Sequence, residues 1–225
     1  MFFLYLVYNQ FILKMRKLLL VTLLLSFFSQ AQTKLYVHPD GKTYSSNTKT
    51  IAILPLKVQV KLRPKQLKDF TTEQIIQLQK DEAIDIQKAM HTWFLTRKKR
   101  GSFDANVITP ARANALLKKD DIDVHELDAY LPSELGEILG VDCVVMGTFE
   151  TSKPMSNAAS IALGALFGAF GTTQTAVCNI DFYNTADDEL VVNYFKKIRG
   201  SIGSDAQDMI NVLMRKVTRR IPYTN

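Results

Sequence analysis

"LGVDCVVMGTFE", residues 139–150, is the stretch of the sequence that decides the fold. Gly140 ends a helical pattern in a backbone conformation that other residues disfavour. The β-branched and apolar run after it predicts a buried strand over residues 141–150. Within this strand, Asp142 can accept backbone hydrogen bonds near the start, and Gly147 lets a neighbouring element approach closely.

Upstream of this strand, strand and helix patterns alternate along the chain. Residues 51–60 predict a central strand, with Pro55 at a bulge or a strand end. A long helix capped by Thr71 or Thr72 follows, and its apolar face carries Trp93, which we expect to be shielded from water. The other predicted elements in this part are a short strand at 103–108 and helices at 111–119 and Pro132–Leu139.

Downstream, two strands joined by a short turn predict a β-hairpin at residues 175–184 and 189–200. Ser204 and Gln207 form a capping box for a last helix through Ile221. The order is therefore β-α-β-α-α-β-β-β-α. The first three strands are predicted to be parallel neighbours, and the last two extend the sheet antiparallel. This order predicts a single-domain α/β sandwich, with a mixed sheet and helices packed on it.

The amino terminus predicts a secretory signal peptide over residues 1–31. Met15, Arg16 and Lys17 precede an apolar run of 11 residues, and the small residues of "SQA" end it. Residues 1–14 fit no signal peptide and are interpreted as a mis-called start. The alternative is a retained membrane anchor, although the apolar run is shorter than the ~20 residues of a membrane span. The other predicted segments are a flexible lead-in at 32–50 and the α/β domain at 51–223.

The net charge of the chain gives no support to a nucleic-acid-binding function. The formal net charge of +6 includes three cations and no acid within residues 1–31, so the exported chain is less basic than the full sequence. This charge is no argument for nucleic acid, and no nucleic-acid partner is predicted. We expect an exported protein of the periplasm or of the outer-membrane periphery. It should not be tethered by lipid, because no Cys stands directly after the apolar run, where a bacterial lipoprotein is acylated.

An uncharged insert at residues 157–174 is the predicted contact surface. It is too short to span a bilayer as a helix, and its apolar residues follow a helical period. Small residues four apart allow close backbone approach. The insert is interpreted as a short helix that docks on the domain, on a second copy or on a membrane surface. The candidate partner or membrane contacts are Ile161, Leu163, Gly164, Leu166, Phe167, Gly168 and Phe170.

No catalytic, cofactor or metal site is predicted. His38, His91 and His125 stand at no recognisable spacing from a nucleophile. The acidic run "DDIDVHELD", residues 120–128, departs from a calcium-binding loop at its sixth and twelfth positions and is interpreted as a solvated loop. Cys143 and Cys178 lie in strand patterns, where they are either buried thiols or a disulfide.

Several of these stretches resemble an exported envelope-protein superfamily. They are "KTIAILPL", "NALLKK" and "LGEILGVDCVVMGTFETSK", followed by a strand pair and an amphipathic helix. The superfamily includes the amino-terminal domain of TolB, the curli secretion channel subunit (CsgG-like) and periplasmic penicillin-binding-protein activator lipoproteins. The run "SDAQDMINVLMRKVTRRIPY" is similar to the end of small secreted Bacteroidetes-type proteins. The resemblance covers residues 49–223 and implies an adaptor or oligomerising module, and it carries over no catalytic residue.

Three functions follow from the sequence, and they remain open at this point. The first is a non-enzymatic adaptor or assembly module that acts through an envelope protein partner or through self-association. The second is a pore or secretion-complex subunit of the curli-channel type, whose insert contacts the membrane. The third is a hydrolase with an unrecognised site.

Export predicts a defined amino terminus. Cleavage after Ala31 should leave Gln32 as the first residue of protein isolated from cells, and amino-terminal sequencing measures this directly. An intact terminus at Met1 or Met15 in the membrane fraction would show a retained anchor instead.

Overall fold

A seven-stranded mixed sheet organises the structure, a computed structural model that describes residues 33–62, 64, 68, 70–152, 174–200, 206–217 and 220–224. The strands are β1 (Thr33–Val37), β2 (Thr50–Ile53), β3 (Lys57–Val60), β4 (Asn106–Val107), β5 (Cys143–Thr151), β6 (Gln174–Asn184) and β7 (Leu190–Gly200). The described helices are α1 (Gly41–Asn47), α2 (Thr72–Lys99), α3 (Pro110–Lys119), α4 (Pro132–Leu139) and α5 (Ala206–Val217).

The strand order confirms the predicted α/β fold with a mixed sheet. The order is β1-β7-β6-β5-β2-β4, and β3 also pairs with β5. The pairs β2–β4, β2–β5 and β3–β5 are parallel, whereas β5, β6, β7 and β1 pair antiparallel in turn. One core forms between the sheet and helices α2 and α5, and a second forms between the sheet and helices α3 and α4.

The predicted strand at residues 51–60 is two strands, because Pro55 interrupts it. Proline has no N–H to donate to the ladder. Ile53 pairs with Val145, and pairing with β5 resumes where Lys57 meets Thr148. Three residues therefore lie between the two pairs on one side and two on the other, which is a bulge. The extra residue keeps Val58 in the same core as Ile53, although their separation in sequence is odd.

Gly147 has the role that the sequence predicts for it. Its φ of +144° belongs to a region that favours glycine, and an added Cβ would lie 2.0 Å from the carbonyl oxygen of Asn179 on β6. The neighbouring strand therefore occupies the place of a side chain. Gly140 similarly ends α4 in the left-handed conformation, with φ of +64°.

Asp142 joins the starts of the two central parallel strands, as predicted. One carboxylate oxygen accepts hydrogen bonds from the backbone N–H groups of Lys49 and Thr50, each at 2.8 Å, and from the Thr50 hydroxyl at 2.9 Å. Burial alone would raise the pKa of Asp142, but these hydrogen bonds outweigh burial and hold the pKa below its ordinary value.

Several predicted boundaries differ from the structure. The lead-in at 32–50 is not loose from Thr33 onward, because β1 pairs with β7 and α1 follows it. The strand predicted at 103–108 is only Asn106–Val107, and Ile221, the predicted end of the last helix, is not helical. Ser204, the predicted cap of that helix, lies outside the described residues.

Thr71, one of the two predicted caps, begins the long helix α2, and it forms a capping box in which Thr71 and Gln74 exchange side-chain and backbone hydrogen bonds. Its buried face carries Phe94 rather than Trp93. Trp93 is only half-buried, and the guanidinium carbon of Arg97 lies 4.3 Å from the centre of its ring. Trp93 packs against the core beside the fully buried Phe94, so it lies on the predicted apolar face but its shielding is incomplete.

Gly147→Ala should destabilise the protein by about 3 kcal/mol, because it combines a steric clash with a strained backbone. Gly101→Ala is the matched control. Gly101 also has a positive φ, +67°, but a Cβ there meets no atom within 4 Å. It should cost only about 1–2 kcal/mol. Urea unfolding of both variants measures the difference, and equal losses would contradict the close approach of β6.

Asp142→Asn should cost about 1–3 kcal/mol at neutral pH, because an amide oxygen replaces a charged acceptor. The folded pKa of Asp142 lies below the unfolded value of about 3.9. Its contribution is therefore present above that value and disappears as pH falls through the folded pKa. Urea unfolding should show the wild-type advantage shrinking below about pH 4. Asp120→Asn, at an exposed position, should be nearly neutral throughout.

Candidate functional site

A groove of about 620 Å³ opens beside the bulge at which β3 replaces β2 as the partner of β5. One wall is the amino-terminal half of α2, and the opposite wall is the segment 123–132. Side chains of β5 and β6 form the floor. The residues used below are Lys57, Ile76, Lys80, Asp123, His125, Glu126, Asp128, Leu131, Met146, Asp181, Tyr183 and Asp188.

The acidic run predicted as a solvated loop is an ordered wall. The Asp123 side chain accepts a hydrogen bond from the backbone N–H of His125 at 2.9 Å, and its carbonyl accepts one from Glu126 at 3.0 Å. A short 3₁₀ helix, Leu127–Ala129, follows. Ile122 and Leu127 are buried in the second core and anchor the segment. Its carboxylates point outward from an apolar base, which is why the sequence pattern alone indicated solvent.

Two ion pairs connect this wall to the rest of the domain. Lys80 on α2 lies 3.4 Å from Asp123, and Lys57 on β3 pairs with Asp128. Both pairs are exposed to water, so they contribute little to stability and mainly orient the side chains. The hydrogen bond from His125 holds the pKa of Asp123 below its ordinary value, and the contact with Lys57 does the same for Asp128. Both carboxylates are therefore ionised at neutral pH.

The floor of the groove contains a buried polar cluster. Asp181 is 9 % exposed and accepts a hydrogen bond from the Asn179 side chain at 2.8 Å. Asn193 on β7 donates to Asp181 and also to Asn179, the latter at 2.8 Å. Burial raises the pKa of Asp181. The cluster fixes the shape of the floor across three strands.

Apolar side chains are exposed on both walls. Ile76 on α2 is 47 % exposed and Leu131 opposite is 56 % exposed. Met146 and Tyr183 on the floor are half-buried. The groove therefore combines an apolar interior with a charged rim, and its lining contains five carboxylates against two lysines. Burial lowers the pKa of His125, so the imidazole adds no charge at neutral pH.

The sequence prediction of the contact site falls elsewhere. Residues 153–173 lie outside the described residues, and so do all seven candidate contacts within the insert. Gln174, its last residue, begins β6. The structure therefore does not test those seven residues.

Neither cysteine forms a disulfide, and both thiols are buried. Cys178 on β6 lies opposite Phe149 on β5. Phe149 is six residues from Cys143 along β5, so the two thiols are far apart. Burial raises the pKa of both thiols, that of Cys143 to about 12. Both cysteines are therefore inert small apolar residues, one of the two alternatives that the sequence left open.

The histidines lie apart from one another. His38 accepts a backbone hydrogen bond from Asp40 at 3.1 Å, and burial lowers the pKa of His91 on α2. Within the described ranges, no three residues of the histidine, cysteine and acidic types are grouped as metal ligands. Only His125 contributes to the groove.

The groove residues were missed because nothing local marks them. Asp181 stands inside the apolar pattern "CNIDFYN", where a lone acid is the one available signal of a polar floor. Ile76 lies within a long helix pattern and Leu131 directly before a helix start, and neither position predicts exposure of an apolar side chain. Only the tertiary arrangement leaves them facing open space.

No helix among the described residues is long and apolar enough to cross a membrane. Neither a protein-family model nor a curated protein sequence matches the chain. Solved structures that resemble it include a bacterial lipoprotein, GNA1162 from Neisseria meningitidis, at 12% identity and TM-score 0.43, over 76% of this chain and 96% of that chain.

Two further structures resemble the chain. The PelC dodecamer from Paraburkholderia phytofirmans is 8% identical with TM-score 0.38, over 86% of this chain and 99% of that chain. The LpoB C-terminal domain from Salmonella enterica is 3% identical with TM-score 0.29, over 71% of this chain and 94% of that chain. Likenesses this distant establish neither a family nor a function for the chain.

Proposed function

We propose that this protein is an exported, non-enzymatic binding module of the bacterial cell envelope. Its groove binds a segment of a protein partner that presents an apolar side chain flanked by Lys or Arg residues. The observation that carries the proposal is the pair of exposed apolar residues, Ile76 and Leu131, on opposite walls of one groove. Exposed apolar surface that lies together is typical of interaction sites.

The size and lining of the groove suit a side-chain anchor. Its volume of about 620 Å³ lies within the range of ligand-binding clefts. An inserted Leu or Phe would contact Ile76, Leu131 and the floor at Met146. Burial of one such side chain contributes about 1.5–3 kcal/mol, which is part of the about 4 kcal/mol of a millimolar affinity, and the charged rim has to contribute the rest.

The charge of the rim indicates the chemistry of the partner. Carboxylates outnumber lysines in the lining, and Lys57 and Lys80 are already paired with Asp128 and Asp123. Glu126 is exposed and adds to the negative rim. A segment with basic residues beside its apolar anchor is therefore attracted, and an acidic segment is repelled.

The hydrogen bonding of the acidic side chains favours binding over catalysis. Asp188 accepts hydrogen bonds from the backbone N–H of Ser133 at 2.6 Å and from its hydroxyl at 3.0 Å. Asp181 is tied to two asparagines, and Asp123 and Asp128 are tied to lysines. General acid–base catalysis needs a titrating group within reach of a substrate proton. These carboxylates instead hold the walls in place.

A peptide-binding measurement with the purified full chain tests the proposal. The probes are fluorescent peptides with one central Leu, flanked either by Lys or by Glu. The Lys-flanked peptide should bind, and Ile76→Asp and Leu131→Asp should each weaken it at least tenfold, because about 1.4 kcal/mol or more of apolar burial is lost. The Glu-flanked peptide should bind more weakly to the wild type.

Leu95→Asp is the matched control, because Leu95 is also exposed on α2, at 44 %, but lies outside the groove. It should bind the Lys-flanked peptide like the wild type. Equal losses in all three variants, or equal binding of both peptides, would contradict the groove as the site. Circular dichroism of each variant checks that the fold is retained.

A further inference from the structure

A lysine is buried on β7, and none of the ion pairs among the described residues involves it. Lys196 is 3 % exposed, and its ammonium donates a hydrogen bond to the Thr33 hydroxyl of β1 at 3.0 Å. It forms no ion pair with any residue in the part of the chain that the structure describes. Burying an ammonium without a counter-charge is costly, so lysines are almost never fully buried unless paired. The position of Lys196 therefore requires an explanation.

A second buried polar group lies beside Lys196. Tyr194 is two residues earlier on the same face of β7 and is fully buried. Its hydroxyl has no hydrogen-bond partner within the described residues. Arg220 acts electrostatically on both Tyr194 and Lys196, which places the two polar groups in one small region. The Thr33 hydroxyl, which accepts from Lys196, is also the group nearest to the Tyr194 hydroxyl, so one oxygen faces two donors and an anion supplies further acceptors.

Further cations surround this pair. Lys216, in the last turn of α5, and Arg220, just after the helix, are both exposed and border the same region. Burial, followed by the repulsion from Lys216 and Arg220, lowers the pKa of Lys196 to about 8. The end of a helix attracts Lys216 and Arg220 through its dipole. That explanation does not extend to Lys196, which lies on a strand and brings its charge into the interior.

We propose that Tyr194, Lys196, Lys216 and Arg220 form a binding site for a phosphate group, with Lys196 at its base and Lys216 and Arg220 at its mouth. A phosphate offers several acceptor oxygens in different directions, which matches hydroxyl, ammonium and guanidinium donors that come from different elements. It also supplies a negative charge, which no ion pair of the described residues provides for Lys196. The phosphate belongs either to a soluble ester or to a lipid headgroup.

This site is independent of the groove. None of Tyr194, Lys196, Lys216 and Arg220 is among the residues that line the groove. The proposed peptide binding and the proposed phosphate binding can therefore succeed or fail separately.

Calorimetric titration of the full chain with inorganic phosphate, at constant ionic strength and pH 7, tests the site. The wild type should bind phosphate and gain thermal stability. Lys196→Met should lose at least tenfold in affinity, and Tyr194→Phe, which keeps the ring, should weaken binding by a smaller factor. Lys197→Met is the matched control, because Lys197 is the exposed next residue on the same strand. It should bind like the wild type.

The pH dependence gives a second measurement, with sulfate as the probe because sulfate stays doubly charged. Binding should weaken as pH rises through about 8, where Lys196 loses its proton. The pKa of Tyr194 is raised to about 12 and that of the Cys178 thiol on β6 is also raised, so neither changes charge in this range. Thr33 on β1 does not titrate. Lys196→Met should remove this pH dependence, and Lys197→Met should keep it.

Vesicle flotation separates the two sources of phosphate. Vesicles of phosphatidylcholine with phosphatidylglycerol should carry the wild type but not Lys196→Met if a lipid headgroup is the ligand. Phosphate binding without flotation assigns the site to soluble esters. The proposal is overturned if Lys196→Met and Tyr194→Phe both bind phosphate and vesicles as the wild type does. If Lys196→Met does not fold, Tyr194→Phe alone decides between these outcomes.

Discussion

The structure depends on a change of partner along strand β5. Its first half pairs with β2 and its second half with β3, and both partners come from one continuous run of chain. Pro55 cannot donate a hydrogen bond, so the run has to leave the ladder there. One extra residue at this point restores the register and keeps Ile53 and Val58 in one core. A slip of one residue would move the core-facing side chains of the second strand to the opposite face of the sheet.

The neighbouring residues make this break possible. The Ile51 carbonyl accepts from Ile108 at 3.0 Å, and the Ile53 carbonyl, past the end of β4, accepts instead from the buried Gln87 side chain at 2.8 Å. Gln87 also exchanges hydrogen bonds with Asn114 on α3. On the opposite edge of β5, Gly147 lets β6 approach where a side chain would intrude. The groove is the space that remains beside the bulge, so a constraint on pairing produces the candidate site.

Local signals predicted much of this fold. Thr71 and Gln74 at the start of a helix, Gly140 at the end of another and Asp142 at a strand start all act on backbone groups within a few residues or on one neighbouring strand. Their roles can be inferred from the sequence because the chemistry of a cap or a turn is nearly the same in every protein. Strand β1 was missed because its short polar sequence shows little alternation, and its pairing is determined by β7, far along the chain. The groove was missed because residues far apart in the sequence form it: only tertiary packing brings Ile76 and Asp181 into the lining of one groove.

The charge at the groove rim is opposite in sign to the net charge of the chain. The formal net charge is +6, of which residues 1–31 supply three cations and no acid, and the groove lining, with five carboxylates and two lysines, has the opposite sign. A basic segment is attracted where carboxylates outnumber cations and repelled where cations outnumber carboxylates. Repulsion elsewhere reduces the number of surfaces at which such a partner can dock. Specificity depends on weak binding at those other surfaces as much as on attraction at the groove. The electrostatic field of the carboxylates acts at a distance, whereas Ile76 and Leu131 act only at contact distance. The apolar anchor would therefore hold the segment after the carboxylates have positioned it. In the proposed complex the two parts of the groove therefore have different ranges of action: the carboxylates would select and orient the partner, and the apolar walls would retain it.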